Sequence, residues 1–313
     1  MATLIAVQLE LGEAQLASAD AYRRATDDAV IAAVDASARS GATLIVLPEL
    51  AGCFALYALA PARARKAGTL ARALGAAALR RPLDVLRGVA TAHVLDARHA
   101  VLAALAPDAE QLWRGIVGPL ARRCGAHVVA GSHLHLAASG ELTNAAMMFG
   151  PDGRLLATTD KVNLVPGLED GAPGALKLAR GSAARVPIVE LAGLGKVATL
   201  IGYDGCVGPA TAHERWEPVV ERLAARGGVD IVANPAASSR IPAEHWQRAG
   251  LRAAMAASRV ARYGVVAHLV GRVLDLGFAG VSEIAARRGD EVSVLARAAD
   301  AERGGHACAY VEP

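Results

Sequence analysis

Aromatic residues are scarce in this chain: three Phe, five Tyr and three Trp make up 4% of its 313 residues. A core drawn from that supply has to be filled by Ala, Val and Leu, and with 53% hydrophobic residues there are enough of them. Cysteine is scarce too. Cys53, Cys124, Cys206 and Cys308 do not make the disulfide framework of a small secreted domain. No Cys-x-x-Cys or His-x-x-x-His spacing occurs, so the common zinc signatures are missing and no metal is expected. Net charge is only +3, and basic residues do not interleave with aromatics, which argues against nucleic acid as a partner. No stretch reaches 18 uninterrupted apolar residues, so no transmembrane helix and no membrane partner is expected. The first eight residues lack a basic n-region and move straight into a strand pattern, so no signal peptide is expected either. A cytoplasmic protein without a cofactor is the resulting default.

What the chain does contain is alternation. Leu4 to Leu9 reads as an apolar strand. Residues 19–40 read as a helix, with Ser18 or Asp20 as cap and Gly41 as stop. Thr43 to Leu47 is an apolar, β-branched run closed by Pro48-Glu49, a buried strand with a carboxylate at its end. His127 to Ala130 is another such strand. Ala145 to Phe149, the turn signal Pro151-Asp152-Gly153 and Leu155 to Thr159 fit a hairpin leading to Asp160-Lys161. Further on, the pattern predicts strands at Lys196–Ile201, Val229–Val232 and Gly264–Val270, and helices at His213–Arg226 and 243–262. Helices outside and sheets inside, an α/β class, follow from this order. No convincing linker interrupts it, so 1–313 reads as one domain.

Residues 54–123 differ. They are rich in Ala, Leu and Arg, helical in propensity, and punctuated at Pro61, Gly68, Gly75, Pro82 and Gly88. Between 61 and 88 stand seven basic residues, Arg63, Arg65, Lys66, Arg72, Arg80, Arg81 and Arg87, against the single acid Asp84. The segment reads as a helical insertion. It is either a solvated face or a lid or subunit contact.

Chemistry-bearing residues collect at strand ends. Leu47-Pro48-Glu49 supplies a carboxylate, Asp160-Lys161-Val162-Asn163-Leu164 an amine, and Glu169 follows Lys161 in a Gly/Pro-containing loop. Ile201-Gly202-Tyr203-Asp204 forms a strand-to-helix turn. Together with Ile5-Ala6-Val7-Gln8, Gly131-Ser132, Asn144-Ala145-Ala146, Asn234-Pro235, His245-Trp246, Gly271, Gly280 and Ser282, these segments resemble the nitrilase superfamily, the carbon–nitrogen hydrolases, over nearly the whole chain.

The resemblance implies a four-layer α-β-β-α sandwich, usually dimerised or further assembled. It implies chemistry at nonpeptide C–N bonds in amides, nitriles and N-carbamoyl compounds, with such a small amide, nitrile or carboxylate as the ligand. Carried over residue by residue, Glu49 is the general base. Lys161 and the backbone N–H of Tyr203 stabilise the oxyanion, and Glu169 orients substrate and Lys161. The nucleophile is what fails to carry over. The family's Ile-Cys-Tyr-Asp stands here as Ile201-Gly202-Tyr203-Asp204, and glycine cannot be acylated. The next segment, Cys206-Val207-Gly208-Pro209-Ala210, also departs from the usual aromatic-Pro-Glu.

Cys206 is a candidate replacement nucleophile. It lies about one helical turn on, roughly 6 Å along an axis, whereas attack needs approach to within ~3–3.5 Å. A packed, inert thiol is the plainer reading, and Cys53 is a weaker candidate. Asp204 reads as a cap for the structure that follows it. His133 and His135 share one face of a strand-like stretch but lack a third ligand in the sequence. Three functions stay open: an enzyme with altered chemistry, a non-catalytic binding subunit, or an ordinary amidase or nitrilase inactivated by Cys-to-Gly replacement.

Overall fold

The apolar runs pair along one continuous path of strands. In the computed structural model, which describes residues 1–80, 82–92, 96–172, 175–238 and 243–312, β1 (Ala2–Leu11) lies at the middle of that path. It runs parallel to β2 (Ala42–Val46), which runs parallel to β3 (His127–Val129). Next come β4 (His133–Leu136), β5 (Leu142–Phe149) and β6 (Leu155–Asp160), with β5 antiparallel to β3, β4 and β6. In the second half, β7 (Ile188–Leu191) pairs antiparallel with β8 (Gly195–Thr199), while β8, β9 (Val229–Ala237) and β10 (Ala261–Val273) are parallel. The short β11 (Leu276–Phe278), then β12 (Glu283–Arg288) and β13 (Glu291–Arg297), fold back antiparallel. β14 (Gly305–Val311) returns to lie antiparallel to β1. The halves join where Leu9–Leu11 of β1 pair with Leu269–Gly271 of β10.

Strand periodicity then builds the layers. Alternate residues of a strand face opposite ways. Leu4, Ala6, Leu44, Val46 and Val129 therefore meet Val197, Ile231, Ala233, Val265 and Ala267 in a core between the two halves. Ile5, Val7 and Leu9 face the other way, onto Val30 and Ala33 of α1 (Ala19–Asp35) and onto Trp113, Ile116 and Leu120. On the far side Ala198, Val232 and Val266 pack under Leu223 and under Leu251, Ala254 and Met255, all on helices of the second half. The result is the expected α-β-β-α order. Each fully buried Val, Leu or Ile contributes about 1.5–3 kcal/mol, so these paired faces hold the halves together without many aromatics.

Among the described residues the Ala-, Leu- and Arg-rich segment forms five helices: α2 (Ala55–Leu59), α3 (Ala62–Arg65), α4 (Leu70–Arg80), α5 (Pro82–Ala92) and α6 (Ala97–Cys124). Gly75 and Gly88 do not break it, since α4 and α5 run through them. Arg81 and residues 93–95 lie outside the described residues. Leu79, Leu83 and Leu86 stand exposed on α4 and α5. The 28-residue α6 is capped by Asp96, whose side chain accepts from the amides of Arg98 and His99, and by Gly125 after its last residue. Trp113 anchors it: the indole is fully buried, stacks on Tyr22 at 5.6 Å and donates to the Ala130 carbonyl at 2.9 Å.

Three helix boundaries differ from the sequence reading. α1 is capped by Ser18, whose Oγ accepts from the Ala21 amide, but it stops at Asp35. The helix expected over 213–226 begins only at Val219, because Pro218 restricts the residue before it to extended backbone. The helix expected over 243–262 is two, α8 (Ala243–Ala249) and α9 (Leu251–Ser258), parted at Gly250. Arg259 turns left-handed at φ 55°, and β10 starts at Ala261. α7 (Val219–Ala225) completes the outer layer. No helix among the described residues is long and apolar enough to cross a membrane.

Gly131 holds the site's scaffold at close range. Its φ is +61°, and a Cβ there would overlap the Pro48 carbonyl, 3.0 Å from its carbon. Gly131→Ala is expected to lower stability by about 2 kcal/mol or more. Gly115→Ala, on α6 with no atom within 4 Å of the added methyl, is expected to raise it by about 0.5–1 kcal/mol. Urea denaturation of both variants checks this, and equal effects would contradict it.

Candidate functional site

Glu49 follows β2, Lys161 follows β6 directly, and Asn144 lies within β5. Two strand ends and the body of β5 thus deliver all three to one point, and the 162–169 loop brings Glu169 back to it. Lys161 is fully buried. Its Nζ donates to Glu49 Oε1 and to Glu169 Oε2, each at 2.6 Å. Asn144 Nδ2 donates to Glu169 Oε1 at 2.7 Å and to Glu49 Oε1 at 3.3 Å. The Val165 amide donates to Glu169 Oε2 at 2.8 Å, and the Ala237 amide, at the end of β9, to Glu49 Oε2 at 3.2 Å. Asn144 is a member the sequence reading did not assign to the site. Its signal was an amide embedded in an apolar strand, Leu142-Thr143-Asn144-Ala145-Ala146, where only a buried polar partner justifies it.

Two carboxylates share one ammonium here, and the electrostatics of Glu49 follow from that crowding. Burial pushes Glu49 up to about 7; Lys161 opposes that shift and Glu169 adds to it. Burial works to lower Lys161, but the charges of Glu169 and Glu49 outweigh it and hold the amine well above its ordinary value. The ammonium is therefore permanent, while Glu49 can exchange a proton near neutral pH.

The turn at Gly202–Gly205 is a single 3-10 turn, not the start of a helix. Gly202 sits at φ +48°, in the left-handed region. A Cβ built on it would overlap the Glu49 carboxylate and lie 2.8 Å from its Cδ. Any side chain at 202 therefore competes with Glu49 for the same space. Asn234 pins the turn by donating to the carbonyls of Leu200 at 2.6 Å and Gly202 at 3.1 Å.

Asp204 does not cap its own segment. Its carboxylate accepts from the amides of Val162 at 2.9 Å and Asn163 at 2.6 Å, clamping the residues after Lys161 to the turn. Burial pushes Asp204 up to about 7, against those two amides. The Tyr203 ring is held edge-on to Trp216 at 4.8 Å, and its hydroxyl donates to Glu214 at 2.6 Å.

Cys206 is fully buried, packed with Val165 and Tyr203, and burial pushes its thiol well up. Cys53 lies in the wall of an apolar cavity of about 120 Å³, and burial, then the charges of Glu169 and Glu49, raise its thiol as well. That cavity is lined by Leu74, Leu102, Leu134, Leu168 and Leu176, with Glu169 also in its wall, so α4 and α6 contribute to the cavity beside Glu169. The structure also supplies the third group that His133 and His135 lacked in the sequence: Glu110 of α6.

The model of the carbon–nitrogen hydrolase family matches residues 14–304. The chain belongs to that family. No curated protein matches the sequence. Among solved structures, this hydrolase-family chain is similar to an amidase from Nesterenkonia sp., with 17% identity, a TM-score of 0.62, and 98% of this chain and 89% of that one covered. It is similar to Saccharomyces cerevisiae Nit3, a member of branch 10 of the nitrilase superfamily, at 17% identity and TM-score 0.60, covering 100% and 90%. In a variant of the Nesterenkonia sp. AN1 amidase the acetamide moiety of fluoroacetamide is added covalently at an active-site cysteine; that chain shares 17% identity and a TM-score of 0.58, with 98% and 89% covered. At such identities the likeness establishes the fold.

Two outcomes follow for the buried cluster of this family member. Lys161→Met leaves two carboxylates without a cation, so stability is expected to fall by about 3–5 kcal/mol. Adding Glu49→Gln is expected to return part of that loss, whereas strictly additive losses would show that the groups do not interact. The pH dependence has a definite sign. A folded-state pKa raised from 4.5 to about 7 means that Glu49 supports the fold fully only below about 4.5 and loses that contribution as pH rises to about 7. The stability difference between the native chain and Glu49→Gln should therefore move against the native chain as pH rises from about 4.5 to about 7. A difference that stays level would mean Glu49 is already ionised in acid.

Proposed function

We propose that this carbon–nitrogen hydrolase-family protein binds a small amide-, nitrile- or N-carbamoyl-type compound at the Glu49–Lys161–Glu169 cluster and does not hydrolyse it through a thiol. The observation that carries this reading is Gly202, with the Glu49 carboxylate lying where the first side-chain carbon of a nucleophile would stand. The family resemblance puts the nucleophile at that position. A residue without a side chain there forms no thioester or thioimidate. Lys161 and the N–H of Tyr203 remain as the groups to receive a polarised carbonyl or nitrile, and Glu169 with Asn144 fixes the ammonium. The apolar cavity ending at Glu169 suits a ligand whose non-reacting part is hydrophobic.

Cys206 does not take over the role in this reading. A nucleophilic thiol needs a lowered pKa or an adjacent base and an open face, and Cys206 is enclosed with its proton held more tightly than usual. A second reading is favoured by one observation. Glu49, with a pKa of about 7, is suited to accept a proton from water near neutral pH. Slow turnover without a covalent intermediate is then open to the same site.

A panel of small amides, nitriles and N-carbamoyl acids decides between these. The native chain should bind members of the panel saturably by calorimetry, and intact-protein mass spectrometry should show no acyl adduct. Turnover without adduct, abolished by Glu49→Gln, would support water activation by Glu49. An adduct that disappears in Cys206→Ala would overturn the proposal.

A further inference from the structure

The geometry points to a second site, a divalent transition-metal site formed by Glu110, His133 and His135, with zinc as its best-suited occupant. His133 and His135 are alternate residues of β4, so both rings stand on one face of the strand. The residue between them, Leu134, faces an apolar cluster with Leu102 and Leu142. Glu110 reaches that imidazole face from α6. One donor atom from each of the three lies within 4.8 Å of the others. Glu110 Oε2 is 3.5 Å from His133 Nε2 and 2.7 Å from His135 Nδ1.

The two separations from Glu110 suit a small cation. Zinc bonds of about 2.0–2.2 Å to nitrogen and oxygen place neighbouring tetrahedral donors about 3.3–3.5 Å apart. The His133 separation already matches. The shorter one to His135 is a hydrogen bond that opens by under an ångström when a cation takes the place of the shared proton, which leaves to solvent. Two imidazoles and one carboxylate make a borderline donor set that fits zinc, cobalt or nickel better than calcium or magnesium. Three protein donors leave the fourth position to water.

A second observation singles out this cluster. His133 is only 1% exposed, yet neither ring nitrogen makes a well-formed hydrogen bond among the described residues: Nδ1 has no partner and Nε2 only the 3.5 Å approach to Glu110. A buried imidazole left unpaired is unusual, and a cation beside Nε2 satisfies it. Glu110 is also prepared to bind through one oxygen, because Arg114 holds the other, Oε1, at 2.7 Å. Such an outer partner fixes the direction of a ligating carboxylate. His135 is 31% exposed at its side chain, which gives an ion a path from solvent. The site shares no residue with the Glu49–Lys161–Glu169 cluster. Its occupation would clamp the long helix α6 to β4 of the central sheet.

The test uses the full chain, freed of metal with a chelator and titrated with zinc. Calorimetry should show one zinc per chain with a Kd in the micromolar range or tighter. Zinc at a hundredfold excess over Kd should raise Tm by about 4 °C or more. Glu110→Gln and His135→Gln should each weaken binding by at least about a hundredfold, the upper end of what losing even an outer-sphere partner does. Cobalt binding to the native chain covers the case in which a variant fails to fold. It should give ligand-field bands without thiolate-to-cobalt charge transfer. Absence of stoichiometric binding, equal affinity in the two variants and the native chain, or a thiolate band that places the ion on cysteine would overturn the site.

Discussion

A single buried ammonium organises this protein's interior. Lys161 has no contact with solvent and is held at 2.6 Å by each of two carboxylates, Glu49 and Glu169. Such a charge is tolerated only where its partners are fixed in advance. The fold meets that demand from four directions. The end of β2 carries Glu49, the end of β6 carries Lys161, Asn144 of β5 bridges the two carboxylates, and the end of β9 supplies the Ala237 amide. Asp204 then clamps the backbone after Lys161 to the turn that follows β8. Displacing any of these elements would weaken the pairing of a buried charge, so the strand registers of the two halves and the cluster depend on each other.

The same cluster explains why position 202 tolerates so little. The Glu49 carboxylate is tied to Lys161, Asn144 and the Ala237 amide and fills the space beside the Gly202 α-carbon. With left-handed backbone as well, glycine is the residue that fits without displacing a buried charge. A carboxylate able to take up a proton near neutrality therefore lies against the backbone of this turn.

Much of this was legible in the sequence, because the signals were local. The β-branched runs ending in Pro48-Glu49 and Asp160-Lys161 marked strands with charged ends, and the order of the motifs identified the family. Other parts depended on partners far away in sequence. Asp204 looked like an ordinary cap, since nothing local shows that its amide partners are 41 and 42 residues upstream. Gly75 and Gly88 looked like breaks, yet tertiary packing carries α4 and α5 through them. Asn144 gave no sign of its role beyond being polar in an apolar strand. Glu110 was invisible as a partner of His133 and His135, because the contact exists only once α6 has packed on β4.

Competition between Glu49 and a side chain at position 202 is tested most directly by a double-mutant cycle in unfolding free energy between Gly202→Ala and Glu49→Ala. If the carboxylate occupies the place of the missing side chain, Gly202→Ala should destabilise the native chain by more than backbone strain alone. In the Glu49→Ala background only the strain, about 1–2 kcal/mol, should remain, leaving a coupling of at least about 1 kcal/mol. A coupling near zero would mean that Glu49 and position 202 do not share that space, and the steric basis for glycine at this position would fall with it.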